Sequence, residues 1–216
     1  MKTRLLNLLR KTRLTSDLVA HYDLRRSVGY LRTLGWFESV HAAMAIDREG
    51  NPIPWFTYPS IAFLEPRVER RHRVFEYGSG NSTLWWSVRA GRVASCEHDE
   101  RWYRLMREKL PEEVVYLHRE LEDGAYAGAI LESGERFHIV VIDGRDRVRC
   151  VRRSLEALEP DGVFLWDNSD REAYREGYDL LNAEGFRRLD FWGLCPINSR
   201  RSCTSVFYRE ENCLGL

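Results

Sequence analysis

Between residues 73 and 208 the chain alternates short unbroken apolar runs with longer stretches of helical periodicity. The apolar runs are Val74-Phe75, Val93-Ala94, Val114-Val115-Tyr116-Leu117, Phe137 to Ile142, and Val163-Phe164-Leu165-Trp166. Runs of four to eight apolar residues bounded by turn residues read as strands buried on both faces. The stretches 100–110, 148–158 and 174–183 predict helices. Pro111 ends the first, Pro160-Asp161-Gly162 is read as the exit turn of the second, and Gly185 closes the third. Two last runs, 188–192 and 205–208, have no helix between them and predict an antiparallel edge. The pattern as a whole predicts an α/β fold, with a doubly wound, mostly parallel seven-stranded sheet whose last strand is antiparallel.

The first third is patterned differently. Leu5, Leu8 and Leu9 recur at helical spacing among Lys2, Arg4, Arg10, Lys11 and Arg13. This predicts one or two amphipathic helices before residue 33, packed on the domain or on a second copy of the chain. Residues 47–52 form a turn cluster. After them comes the aromatic stretch 53–59, where Thr57 or Tyr58 precedes a helix with Pro59 in its first turn. That aromatic cluster is either a core staple or the wall of a pocket. The expected organisation is an N-terminal helical extension or lid over residues 1–60 and a main domain over 61–216.

Composition adds limits. Lysine plus arginine and aspartate plus glutamate both number 33. This neutral balance argues against a nucleic-acid partner and for a small-molecule one. No apolar run is long enough for a membrane span. Five scattered cysteines without a CxxC pair suggest reduced thiols in a cytoplasmic setting.

The candidate chemistry sits where strands end. In an open parallel sheet, ligands bind beyond the carboxyl ends of the strands. The first strand ends in Glu76 and the turn Tyr77-Gly78-Ser79-Gly80-Asn81-Ser82, the second in Glu97, the fourth in Asp143, the fifth in Asp167-Asn168. Four acids gathered at one rim cost free energy unless each meets a hydroxyl, a cation or a metal. Glu97 lies 97 − 76 = 21 residues after Glu76, the spacing at which an acid on the next strand can hold a ribose diol.

In order, the segments EYGSGNST, SCEHDERW, VVIDGRDR and FLWDNSD resemble the class I S-adenosylmethionine-dependent methyltransferases, over residues 73 to 208. The resemblance implies a Rossmann-like fold and S-adenosylmethionine as cofactor. It implies a binding set of Glu76, Tyr77, Gly78, Gly80, Ser82, Glu97, His98 and Asp143. Gly78 and Gly80 would line the methionine part, and Ser82 would meet its carboxylate. Glu97 would hold the ribose and His98 lie near the adenine. Asp143 would sit at the sulfonium as the catalytic position. A second, sharper resemblance is to the cation-dependent catechol-type O-methyltransferases. It implies magnesium on Asp143, Asp167 and Asn168, and O-methylation of a small molecule. Two departures stand out: Ser82 replaces the third glycine of the usual turn, and Asp146 stands where that group has a catalytic lysine.

Two other readings remain open on the sequence: a nucleotide-cofactor oxidoreductase of the NAD type, and a non-catalytic protein that keeps the fold as a scaffold. Of the arginines after Asp143, Arg145 is the one close enough to the strand end to steer an anionic substrate.

Overall fold

A computed structural model describes residues 13–25 and 29–216. The N-terminal leucine-rich segment before residue 13, with the packing on the domain or on a second copy expected of it, lies outside the described residues. Among the described residues four helices precede the sheet: α1 (Arg13–Arg25), α2 (Tyr30–Thr33), α3 (Trp36–Ala42) and α4 (Tyr58–Leu64). Then strands and helices alternate as β1 (Arg73–Tyr77), α5 (Asn81–Ser87), β2 (Arg92–Glu97), α6 (Glu100–Arg107), β3 (Val115–His118), α7 (Ala125–Gly128) and β4 (Phe137–Ile142). The chain closes with α8 (Arg147–Ser154), β5 (Leu158–Asp167), α9 (Arg175–Ala183), β6 (Arg187–Gly193) and β7 (Ser202–Tyr208).

The seven strands run in the order β3-β2-β1-β4-β5-β7-β6. All pairs from β3 to β5 are parallel, while β7 pairs antiparallel with both β5 and β6. The β5–β7–β6 arrangement is the antiparallel edge that the missing helix predicts. Strand order reverses between β1 and β4, which makes the crevice above their carboxyl ends the expected ligand position.

Both sheet faces are covered, which explains the unbroken apolar runs. Val74, Ile139, Val141 and Leu165 face one core with Trp85, Trp86, Phe56 and Leu64. Phe75, Tyr77, Val140, Ile142 and Phe164 face the other with Tyr126, Ile130, Cys150 and Leu181. Successive strand residues point to opposite faces, so a strand between two helical layers must be apolar at every position.

Two sequence readings need adjustment. The helix expected to end at residue 158 stops at Ser154, with a single 3-10 turn over Leu155–Ala157. Pro160-Asp161-Gly162 lies within the span of β5 rather than before it. Phe137 pairs with Leu158 and Ile139 with Val163, so residues 159–162 bulge outward opposite His138. A proline has no N–H for the ladder, and a bulge is where a strand accommodates one.

The segment before the sheet is tied to the late hairpin. The Thr57 amide donates to Thr204 Oγ1 at 3.0 Å, and Thr57 Oγ1 donates to the Phe191 carbonyl at 2.9 Å. Trp36 Nε1 donates to the Asn198 carbonyl at 3.0 Å. Asn81 Nδ2, at the start of α5, reaches the Ala45 carbonyl at 2.7 Å.

Candidate active site at the switch point

A cavity of about 330 Å³ opens between the β1 and β4 rims, lined by Gly78, Ser79, Ser82, Glu97, His98, Asp143, Gly144, Arg145, Arg147, Asn168 and Arg171. A larger cleft of about 640 Å³ lies outside α4 and α5. No strand end opens into it, so the chemistry belongs to the smaller one.

The glycine turn is shaped by its neighbours. Gly78 has φ +87, and a Cβ there would lie 3.0 Å from both the Asp143 carbonyl oxygen and Gly144 Cα. A side chain at 78 would therefore wedge β1 from β4 as well as strain the backbone. A Cβ at Gly80 would meet nothing within 4 Å, so the turn faces open space there. Thr83 Oγ1 accepts from the Gly80 amide at 3.1 Å and donates to Glu76 Oε2. This single hydroxyl joins the turn, the helix and the buried acid.

Glu76 is fully buried behind the turn, and its Oε1 has no hydrogen-bond partner among the described residues. Burial pushes its carboxyl up to about 8, against the opposing hydrogen bond from Thr83. At neutral pH most of the group is protonated, with one unmatched polar atom. A buried atom in that state costs free energy that a ligand donor or cation can recover.

Glu97 is bound more fully. Its Oε2 accepts from the Ser79 amide and from Ser79 Oγ, each at 3.1 Å. Its Oε1 accepts from the amides of His98 at 2.8 Å and Asp99 at 2.9 Å. A carboxylate has about four acceptor sites, so all are taken. Of these donors only Ser79 Oγ has an alternative partner, the Tyr116 hydroxyl at 2.6 Å. A diol can reach Glu97 by displacing that one hydroxyl.

On the β4–β5 side, Asp143 Oδ1 accepts from Arg147 Nη2 at 3.0 Å. Arg147 Nε donates to the Gly144 carbonyl at 3.0 Å, and Nη1 donates to the Asp167 carbonyl. The guanidinium is 7% exposed. Asp167 is buried, and its Oδ1 accepts from Thr204 Oγ1 at 2.7 Å. Burial raises the Asp143 carboxyl while Arg147 pulls it back. Burial raises Asp167 further, and the Asp143 charge adds to the shift.

The residues named from the sequence are thus sorted by position. Gly78, Ser82, Glu97, His98, Asp143 and Asn168 come together around the cavity. Glu76 and Asp167 stand behind it. Tyr77 turns into the core, where its hydroxyl donates to the Ala127 carbonyl at 2.7 Å, and only its backbone is at the rim. The expected magnesium set fares differently. Asp143 already holds a buried guanidinium, and one Asp167 oxygen holds a threonine hydroxyl. Among the described residues no group of three His, Cys, Asp or Glu is arranged for a metal ion. A divalent ion at Asp143 would face a fixed positive charge, so the donor set does not fit magnesium.

Sequence reasoning missed Ser79, Tyr116, Arg147 and Arg171. The Arg147 signal was present: an arginine four residues after a strand-end acid is at helical ion-pair spacing. Ser79 stood inside the named glycine turn without a role, whereas Tyr116 and Arg171 are joined to the site only by the fold.

No protein-family profile and no curated protein sequence matches the chain. Solved structures do match. An O-methyltransferase from Bacillus cereus in complex with S-adenosylhomocysteine is 19% identical, with a TM-score of 0.57, over 89% of this chain and 97% of that one. A precorrin-6y C5,15-methyltransferase from Geobacter metallireducens is 11% identical, with a TM-score of 0.57, over 70% of this chain and 87% of that one. An rRNA methylase from Streptococcus thermophilus is 14% identical, with a TM-score of 0.51, over 70% of this chain and 97% of that one. The fold is the Rossmann-like methyltransferase fold expected from the sequence. The last match shows that this fold also serves a nucleic-acid methylase, so the expected exclusion of nucleic acid has no support from the fold. No helix among the described residues is long and apolar enough to cross a membrane.

Proposed function

We propose that this chain is an S-adenosylmethionine-dependent methyltransferase acting on a small-molecule acceptor. The observation that carries the proposal is the pairing of an orphaned, fully buried Glu76 oxygen with an open glycine turn at the sheet's switch point. The cofactor has an ammonium, a carboxylate, a ribose diol and a sulfonium. The rim offers a match for each in sequence: Glu76 behind the turn, the Gly78–Ser82 backbone and hydroxyl, Glu97, and Asp143. His98 borders the adenine side.

When bound, the cofactor supplies an electrophilic methyl group on sulfur. The work of this chain is mostly positioning. Glu97 and the turn fix the ribose and methionine ends, and Asp143, held by Arg147, faces the acceptor side. An acceptor held by the residues on the Asp143 side would need its lone pair in line with that methyl group. Asp143, whose carboxyl burial raises from the ordinary carboxylate range, is the group placed to take an acceptor proton. An oxygen acceptor suits that role. Magnesium has no part in this scheme.

The test compares thermal shifts with S-adenosylhomocysteine and with NADH. A ligand at a hundred times its Kd adds about 2.7 kcal/mol, a rise of several degrees for a domain of this size. We expect that rise with S-adenosylhomocysteine alone. A rise with NADH instead would establish the oxidoreductase reading, and no rise with either would leave a scaffold.

A further inference from the structure

The arginines around the site divide into two groups. Those facing away from the cavity are paired with acids. Arg149 pairs with Asp146 at 3.3 Å, Arg152 with Glu176 at 2.7 Å, and Arg175 with Glu172 at 3.0 Å. Arg188 pairs with Asp190 at 2.5 Å. The two exposed arginines that line the cavity, Arg145 after β4 and Arg171 after β5, have no carboxylate partner within 4.0 Å among the described residues. Among the described residues the Arg171 guanidinium makes one hydrogen bond, at 3.5 Å from Nη1 to the Tyr174 hydroxyl. It lines the same cavity as Asp143.

Charge bookkeeping favours an anion here. The lining carries three arginines (145, 147 and 171) against two carboxylates, Glu97 and Asp143, a balance of 3 − 2 = +1. S-adenosylmethionine brings a further net positive charge. Glu76 and Asp167 stand buried behind this lining, and the next acid along the chain, Asp170, accepts from the Cys203 amide at 3.3 Å. The rim order places the anion relative to the cofactor. Ribose and methionine ends belong to β2 and β1, whereas Arg145 and Arg171 follow β4 and β5, the next two strands in the sheet.

Building on the methyltransferase reading, we infer that the acceptor is a small molecule carrying an oxyanion, a carboxylate or phosphate, gripped between Arg145 and Arg171 with its nucleophile turned toward Asp143. Guanidinium groups match both oxyanions by paired N–H donors. A neutral acceptor would leave two unpaired guanidiniums above a bound sulfonium.

The experiment is a titration of S-adenosylhomocysteine-saturated protein with benzoate and, separately, inorganic phosphate, at low ionic strength. We expect millimolar binding of at least one of the two. It should weaken at least tenfold in R145A/R171A and be largely kept in R145K/R171K, with S-adenosylhomocysteine affinity changed less than threefold in both. Both arginines are exposed, and unchanged melting temperatures would confirm that the variants fold. Four outcomes overturn the inference. Neither anion binds, or both bind R145A/R171A as well as the parent. S-adenosylhomocysteine affinity falls tenfold in the alanine variant, which would give the arginines to the cofactor carboxylate. Single-stranded RNA binds micromolar through the same arginines, which would make the acceptor a nucleic acid. A parent protein that fails to bind S-adenosylhomocysteine removes the methyl-transfer reading itself, and the acceptor site with it.

Discussion

The two rims of the sheet treat charge in opposite ways. At the rim where the parallel strands begin, charged groups are matched by their own chain. Arg73 at the start of β1 pairs with Glu159, and its Nε donates to the Arg136 carbonyl at 2.6 Å. Arg92 at the start of β2 pairs with Glu135 at 2.7 Å. At the rim where those strands end, Glu76 keeps an orphaned oxygen, Asp143 and Asp167 press on each other, and Arg145 and Arg171 stand unpaired by acids. Both rims are polar, and each has a buried atom without a partner among the described residues, His72 Nε2 at the first and Glu76 Oε1 at the second, yet only the second also crowds buried acids beside unpaired arginines. Folding alone would select against such incompleteness, and binding is the physical reason to keep it.

The contrast breaks most sharply at Arg147. R147M removes the cation between two buried acids and should cost about 3–5 kcal/mol in urea unfolding at pH 8. The loss should shrink as pH falls, because protonation then neutralises Asp143 and Asp167. R73A at the other rim removes a partly exposed ion pair and should cost about 0–1 kcal/mol. Equal losses at the two rims would mean that the site rim is no more strained than the structural one. D143N added to R147M should recover part of the loss.

Next in size is Glu97. E97A removes the acceptor for three backbone amides and, on the proposed reading, for the ribose. Hydrogen bonds to a charged group are worth about 1.5–3 kcal/mol, so S-adenosylhomocysteine affinity should fall roughly 10- to 150-fold by calorimetry. S79A should have a small or favourable effect, because it removes only the hydroxyl that the diol must displace. If E97A bound as tightly as the parent, Glu97 would be a turn-holding residue and the ribose would lie elsewhere.

This pair shows what the sequence could reveal. Strand ends, the glycine turn and the acids at the rim were legible because each is a local signal: an apolar run, a turn residue, an acid after it. The strand order that sets the switch point was not legible, because it is fixed by which strands pair and not by any local run. Arg171 and Tyr116 were not legible, since each reaches the site from a segment with no motif of its own. The bulge at residues 159–162 was hidden too, because Pro160 and Gly162 spell a turn locally while the flanking residues continue a ladder. Tyr77 was misplaced toward the ligand by its position in the motif, although strand alternation alone sends its ring to the opposite core.

Glu76 gives a smaller effect with a definite sign. Its folded carboxyl lies at about 8 against an ordinary 4.5, so the folded protein holds the extra proton between those values. The stability it contributes is full below 4.5 and lost as pH rises through 8. E76Q should flatten that slope. An ammonium beside Glu76 favours the ionised form, so S-adenosylhomocysteine binding at pH 7 should release up to about one proton. Titrations in Bis-Tris and Tris, which differ in ionisation enthalpy, should then give different enthalpies for the parent and equal ones for E76Q. Equal enthalpies for the parent would place the ammonium away from Glu76.

The smallest effect expected is none, and it tests the comparison from the other side. If the ending rim is incomplete toward a cofactor and an anion, a divalent cation has nothing to complete there. Arg147, 7% exposed, already spans Asp143 and the carbonyls of Gly144 and Asp167 through three donors. Magnesium could bind Asp143 only by expelling a buried guanidinium or by sitting against it, and either costs more than two partly matched acids return. Adding magnesium, or a chelator, should therefore leave S-adenosylhomocysteine affinity and melting temperature within error. A rise of several degrees with magnesium in the parent would show that Arg147 yields its place, and R147M would then bind the ion more tightly still. Magnesium binding confined to R147M would instead identify the guanidinium as the charge that fills this position in the parent.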